Sequence, residues 1–417
     1  MPDIFWFRRD LRTFDNPALD AAGLDAVRMF VHDPHFALVG SPRAQYLQEA
    51  LQPLDAVHVT GEPAVVLPTQ AAAHGARRVF CTGDSTPYAA RRDEAVAEAL
   101  AQVGVELVMI DSPYAIAPGE VRNQSGAGFR VFTPFYKAWL AQGWAAPASP
   151  PDVTPAVKRW RQFRDAGLAA YKRDRDQPAL DATSRLSAAL HFGQLHPRTI
   201  LAEIAEPTTD PFARQLAWRE FCADVLWHRP QAAWASLDER FDTDMEYSAD
   251  QDHFAAWQQG RTGYPFVDAG MRQLLAQGWM HNRLRMVTAS FLIKDLHLPW
   301  QWGAAWFMKH LVDGDVANNQ LGWQWVAGCG TDAAPYFRIF NPVTQGKKFD
   351  PDGTFIRRYV PELAGLDNAS LHAPWQAPEI ALASAGVTLG ATYPLPIVDH
   401  AVARERTLQR YAVVKSG

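Results

Sequence analysis

Residues 279–286 read Trp-Met-His-Asn-Arg-Leu-Arg-Met. On a helix, Asn282, Arg285 and Met286 share one face by i+3 and i+4 spacing. An amide, a guanidinium and a thioether make a poor core and a plausible pocket wall, though a surface stripe with Met286 tucked inward is also open. Asp313-Gly314-Asp315 precedes Asn318 and Asn319. Two carboxylates around a glycine suit a divalent cation, a helix cap or a polar ligand. Few other carboxylates lie nearby, so no metal is expected. Thr183, Ser184, Arg185, Leu186 and Ser187 put hydroxyls and a guanidinium at the opening of a helical stretch, which makes either an anion site or a plain cap. Trp323 and Trp325 flank Gln324 and point in different directions on a helix. Arg338, Lys347, Lys348, Arg357 and Arg358 are relieved by Asp350 and Asp352 and interleaved with Tyr336, Phe337, Phe340, Phe349 and Phe355. That is a solvated face, or a phosphate track with a stacking surface.

Two kinds of element must hold these groups. Short apolar runs at residues 4–7, 27–31, 56–60, 78–82 and 105–110 read as buried strands. Helical stretches lie between them, at 42–54 and 88–103 among others. The alternation predicts a doubly wound parallel sheet, an α/β domain over residues 1–125. No GxGxxG follows the first strand and no phosphate loop is present, so neither dinucleotide nor P-loop chemistry is expected. Prolines punctuate residues 111–180, and 126–180 reads as a linker with one helix at 135–142. From 181 to 417 the pattern is all-α, with helices expected at 197–205, 212–228, 250–259, 267–277, 283–296 and 304–312. The tail after about 365 reads as loosely structured.

The chain has 417 residues, 48% hydrophobic and 20% charged, an ordinary globular composition. Three distant cysteines exclude a disulfide framework and suit a reducing cytoplasm. No apolar run approaches a membrane span, and the start lacks the apolar region of a secretory signal. Of 40 Lys and Arg and 45 Asp and Glu, 12 and 16 lie in residues 1–150, so both parts are mildly acidic. Binding to nucleic acid would therefore need a local patch. Of the 15 tryptophans, 12 follow residue 150, as core packing or as stacking and electron-transfer groups.

Taken together, GWMHNRLRMVTASFLIKDL and DGDVANNQLGWQWVAGCGTDAAPYFRIFNPVTQGKKFD resemble the photolyase/cryptochrome family. They are most similar to its class I members, which repair cyclobutane pyrimidine dimers. FWFRRDLRTFDNPAL, TSRLSAAL, AWREF and GRTGYPFVDAGMRQL add to the likeness, which covers residues 1 to about 365. The resemblance implies a Rossmann-like antenna domain, a long linker and a helical FAD- and DNA-binding domain. It implies blue-light electron transfer from reduced FAD to a flipped-out dimer in UV-damaged DNA, by a cytoplasmic monomer with no membrane partner. A cryptochrome-like photoreceptor is the alternative.

Carried over by position, Tyr171, Thr183, Ser184, Arg185, Leu186, Ser187, Asp313, Gly314, Asp315 and Asn319 match the FAD site, with Arg285 paired to Asp313. Trp218, Asn282, Met286 and Trp325 match the dimer pocket. Arg175, Arg283, Arg338, Gln345 and Lys347 match phosphate contacts. Trp323 and Trp300 match the inner and middle members of the photoreduction chain, and Tyr247 stands where an outer tryptophan is expected. Three further departures stand out. Gln215 replaces a glutamate that assists the dimer, and Phe212 replaces a common tryptophan. The antenna region is trimmed, with Thr86 where folate- or deazaflavin-binding members have glutamate. Asp33 and Asp84 remain compatible with a deazaflavin, so the second chromophore is expected to be a deazaflavin, a flavin or absent.

Overall fold

The computed structural model describes residues 2–36, 41–332 and 338–416, with the side chains of residues 415 and 416 left aside. Tyr336 and Phe337 lie outside the described residues. The chain folds as two compact units. One comprises Met1–Ala169, Ser184–Ala233 and Asp315–Asn318; the other comprises Ala170–Thr183, Trp234–Gly314 and Asn319–Gly417.

The first unit is built on five parallel strands: β1 (Ile4–Phe7), β2 (Val27–His32), β3 (Val57–Thr60), β4 (Arg78–Cys81) and β5 (Glu106–Met109), in the order β3-β2-β1-β4-β5. Ile4 pairs with Val27 on one side and Val79 on the other, so β1 is central. All four of its residues are buried, which explains a continuous apolar run instead of alternation. The edge strands β3 and β5 are largely uncovered. Helices Pro42–Leu51 and Pro87–Gln102 begin with proline behind the capping hydroxyls of Ser41 and Thr86. Ile4, Trp6, Met29, Leu67, Val79, Val96 and Leu100 form the core of the α/β part.

The stretch 126–180 holds two long helices, Phe132–Gln142 and Pro155–Ala166, where one was expected. Proline caused the miss. Pro155 stands at the first helical position behind the Thr154 cap, where its missing N–H costs nothing.

The second unit is helical throughout its longer elements, which include Gln251–Gln258, Pro265–Gln277, Asn282–Ser290, Trp300–His310, Val316–Ala327 and Pro342–Phe349. The run expected as one helix over 283–296 changes after Ser290 into a π turn, Phe291–Asp295. The expectation of a loose tail is corrected. His400–Ser416 is a long helix whose Ala403, Tyr411 and Val414 are buried, with short turns at Asn368–Leu371 and Glu379–Ser384 before it. Its polar positions, which include Arg404, Glu405, Arg406 and Arg410, hid the narrow apolar stripe. Most of the second-half tryptophans are packed: Trp257, Trp300 and Trp323 lie in the core, whereas Trp227 and Trp234 are about half exposed.

Candidate active site

In the first unit the helix Ala213–His228 carries Gln215 and Trp218 on one face by i+3 spacing. Trp218 is half-buried and stacks on Phe132, ring centres 3.8 Å apart and 9° from parallel. Phe212, just ahead of the helix, stacks at 5.6 Å on Trp160. The same helix is anchored by acids that the sequence reading passed over. Glu220 accepts from the N–H of Ala115 at 2.6 Å, of Ile116 at 3.2 Å and of Trp139 Nε1 at 2.7 Å. Asp224 accepts from Gly119 N at 2.8 Å. Burial pushes the Glu220 carboxyl up to about 7, against the pull of its three donors.

Ser184, Arg185, Leu186 and Ser187 also belong to this unit. Arg159 Nε donates to the Ser184 carbonyl at 2.9 Å, and Arg185 turns the chain with a left-handed φ of 53° before the short helix Ser187–His191. The helix is only five residues long, so the hydroxyl run precedes it as a turn and does not open a long helical stretch. Asp315 is the charged hub. It accepts from Arg9 Nη2 at 2.7 Å and from Asn318 N and Nδ2 at 2.9 and 2.8 Å, with His191 Nδ1 at 3.7 Å. Burial opposes its ionisation, but Arg9, His191 and Arg219 together hold its carboxyl well below the usual range.

The deazaflavin candidates are engaged locally. Asp33 accepts from His35 N and from the Tyr88 hydroxyl. Asp84 accepts from Ser85 N at 2.7 Å and lies 3.5 Å from Arg9. Thr86 caps its helix by accepting from Ala89 N.

In the second unit, Asn282 opens its helix and its amide reaches Met286 Sδ at 3.9 Å, so the i+4 pair meets. Arg285 donates to the Met280 carbonyl at 2.8 Å and to Asp313 Oδ2 at 2.7 Å. Asp313 is buried, and its other oxygen has no hydrogen-bond partner among the described residues. Gly314 follows at the turn. Asn319 commits its amide nitrogen to the Ala304 carbonyl at 3.1 Å and to Gln320 Oε1 at 2.8 Å, which leaves its oxygen to accept. Tyr171 is buried beneath the Arg175 guanidinium, 5.5 Å from its ring centre; Thr183 closes the same segment.

The Trp323 and Trp325 pair resolves as expected for neighbours on a helix. Trp323 and Gln324 are buried and Trp325 is half-buried. Gln324 ties residues 235 and 237 by donating to Ala235 O and accepting from Leu237 N.

The basic stretch divides. Arg338, Lys347, Lys348 and Arg358 are exposed. Arg357 is spent on the carbonyls of Ala364 and Leu366 and on Asn368, so it braces the fold. Arg283 pairs with Asp176 at 2.9 Å and lies over Phe349 at 4.1 Å, and Gln345 Oε1 is buried without a partner among the described residues. No group of three or more His, Cys, Asp or Glu able to hold a metal occurs among the described residues. Nor is any helix among them long and apolar enough to cross a membrane.

Residues 3–155 match the family model of DNA photolyase, and residues 212–413 match that of the FAD binding domain of DNA photolyase. A deoxyribodipyrimidine photo-lyase of Streptomyces griseus is 41% identical, with 96% of this chain and 97% of that protein covered. The chain belongs to the DNA photolyase family. The crystal structure of a bacterial class III photolyase from Agrobacterium tumefaciens is similar over 100% of this chain and 98% of that one, with a TM-score of 0.91 and 37% identity. That of Synechocystis sp. PCC6803 cryptochrome covers 98% and 99%, with a TM-score of 0.88 and 28% identity.

FAD is the cofactor of the photolyase family, and this chain's donors and acceptors fit it. The unpaired, buried Asp313 oxygen is an acceptor waiting for an N–H or O–H, of which a flavin ring and a ribityl chain have several. The uncommitted oxygen of Asn319 is a second, neutral acceptor. Asp313→Ala is expected to weaken FAD binding by about tenfold or more, since a hydrogen bond to a charged group is lost. Flavin fluorescence after denaturation measures the occupancy, and a variant holding parental flavin at limiting FAD would contradict the assignment.

Proposed function

We propose that this chain repairs cyclobutane pyrimidine dimers in UV-damaged DNA as a light-driven carbon–carbon lyase. Reduced FAD, when bound and excited by blue light, supplies the electron that opens the cyclobutane ring and takes it back afterwards. The observation that carries the reading is Asn319. A neutral amide whose nitrogen is already committed can accept from a reduced flavin without adding negative charge beside it, which favours an electron-rich cofactor.

In this reading Tyr171, Thr183, Ser184, Arg185, Leu186, Ser187, Asp313, Gly314 and Asp315 hold FAD, with Arg285 fixing Asp313. The flipped-out dimer stacks on Trp218, whose ring is stiffened by Phe132, and touches Asn282, Met286 and Trp325. Arg175, Arg338, Gln345 and Lys347 meet phosphates, and Arg283 joins them by exchanging its Asp176 partner. Gln215, whose side-chain amide has no hydrogen-bond partner among the described residues, can donate an N–H to a dimer carbonyl but cannot give up a proton. The α/β part to about residue 125 serves as the antenna domain, residues 126–180 as the linker, and residues 181–417 as the FAD- and DNA-binding domain. The protein acts as a cytoplasmic monomer, in keeping with three free cysteines.

A second reading, a blue-light flavin photoreceptor with weak repair, draws on Gln215 and on the likeness to a cryptochrome. One experiment separates the two. Reduced protein is incubated with an oligonucleotide carrying a thymine dimer, in blue light and in the dark. Light-dependent loss of the dimer over many turnovers is expected; a dimer untouched in light by protein loaded with reduced FAD would leave the photoreceptor reading.

A further inference from the structure

Lys294 is buried to 1% exposure and has no part in the chemistry above. It stands in the π turn Phe291–Asp295, a kind of helix interruption often kept at functional places. Its ammonium donates to the backbone carbonyl of Arg338 at 2.8 Å and lies 5.6 Å from the Tyr411 ring centre. Its own carbonyl accepts from Thr407 Oγ1 at 2.5 Å, which fixes the turn against the His400–Ser416 helix. Four residues earlier, Ser290 Oγ accepts from Phe340 N at 3.4 Å. Asn341 then caps Pro342–Phe349 by accepting from Thr344 N. Residues 338–341 therefore hang from one stretch of helix at two points, and the helix bearing Gln345, Lys347 and Lys348 follows directly.

We propose that Lys294 is a positioning residue for DNA binding: its buried ammonium holds the Arg338 carbonyl and so aims Arg338 and the basic helix after it at a phosphate backbone. The inference rests on the DNA-repair reading and its phosphate contacts. A buried ammonium is costly to keep, and a neutral donor would satisfy one carbonyl. The charge makes the bond stronger and adds a cation beneath the patch. Its neighbour Asp295, itself paired with His400 at 2.5 Å, offsets the cost of burying Lys294 only in part.

The charge on Lys294 is also within reach of pH. Burial pushes it down to about 8, with Arg338 adding to the fall and Asp295 and Cys329 opposing it. The groups facing it change elsewhere. Burial lifts Asp295, on the same turn, to about 6 and Cys329 to about 12, and the Tyr411 phenol is held well above its ordinary value. Below pH 8 the ammonium is present and the carbonyl is held firmly. Above it, a neutral amine makes a weaker bond and one cation is lost, so affinity falls as pH rises.

The test is dark binding of a short labelled duplex with a single thymine dimer, by fluorescence anisotropy from pH 7 to 9 at constant ionic strength. The parent's Kd is expected to rise about three- to tenfold across that range, centred near the Lys294 value of about 8. Lys294→Met should bind about as weakly at pH 7 as the parent does at pH 9, with no pH dependence and with parental flavin content. Lys294→Arg should restore binding at pH 9. A flat parental curve, or a Lys294→Met curve that follows the parent's, overturns the proposal; if the methionine variant does not fold, the parental curve decides alone. A parent that fails to bind the duplex at pH 7 removes the DNA reading itself, and this inference with it.

Discussion

Asp15→Ala is expected to destabilise the first unit by about 3–5 kcal/mol, the range for removing one partner of a buried charge network. Asp15 is fully buried. Its carboxylate accepts from Arg198 Nε at 2.7 Å, Thr199 Oγ1 at 2.7 Å and Ala148 N at 2.8 Å. Its carbonyl accepts from Arg12 Nε and Nη2 at 3.0 and 2.7 Å. Removing the carboxylate leaves two buried guanidiniums with less counter-charge, although Arg198 keeps Asp111 at 2.6 Å. Backbone conformation adds to the cost. Asp15 has a left-handed φ of 46°, which aspartate and asparagine tolerate better than alanine. Asp15→Asn keeps the shape, the turn and one acceptor, so it should cost clearly less. Urea unfolding of the two variants beside the parent measures both. A loss below about 1 kcal/mol for the alanine variant would show that the network contributes little net stability.

That network marks where sequence reading stopped. The strands were legible because β1 and its neighbours are buried on both faces and read as unbroken apolar runs. The helices of the second unit were legible from their period. One boundary slipped where a helix turns into a π turn after Ser290, and in the first unit a whole helix was missed where Pro155 starts it behind the Thr154 cap. The pairing of Arg285 with Asp313 came from a family likeness, because no local rule joins residues 28 positions apart. The same distance hid the partners Arg9 and Asp315, Arg12 and Gly193, and Lys294 and Arg338. Hydrogen bonds to two carbonyls and to Asn368 turn Arg357 from a candidate phosphate contact into a brace, and burial turns Lys294 into a candidate lever. The fold's buried ions were therefore the least legible part, since their cost is met only by partners brought together by folding.

Trp323→Phe and Trp300→Phe are each expected to nearly abolish photoreduction of the bound cofactor, because each removes an easily oxidised ring from the path that the family resemblance implies. Trp323 is packed against Gly303, where any Cβ would overlap its ring. Trp300 is fully buried and its N–H donates to Ser236 Oγ at 3.0 Å, which donates in turn to the exposed Asp242 at 2.7 Å. A carboxylate two bonds of hydrogen away favours a positive hole on that indole. Tyr247 is half-buried, and the carboxylate of its neighbour Glu246 is 3.4 Å from Arg410. Burial, with Cys329 and Asp242 adding to it, pushes the Tyr247 phenol well above its ordinary value. Oxidation there should therefore wait on proton loss and leave a neutral, long-lived tyrosyl radical. A competing exit ends at Trp302, which with Trp306 is the alternative terminus near Trp300, and runs through two rings the sequence did not single out, Trp257 and Phe254: Trp323 to Trp257 at 6.1 Å, Trp257 to Phe254 at 5.9 Å and Phe254 to Trp302 at 5.2 Å. Transient absorption of Tyr247→Phe should lose the tyrosyl signal and show faster recombination. If that variant matches the parent while Trp302→Phe or Trp257→Phe is impaired, the electron is supplied through the Trp302 side and Tyr247 is a packing residue.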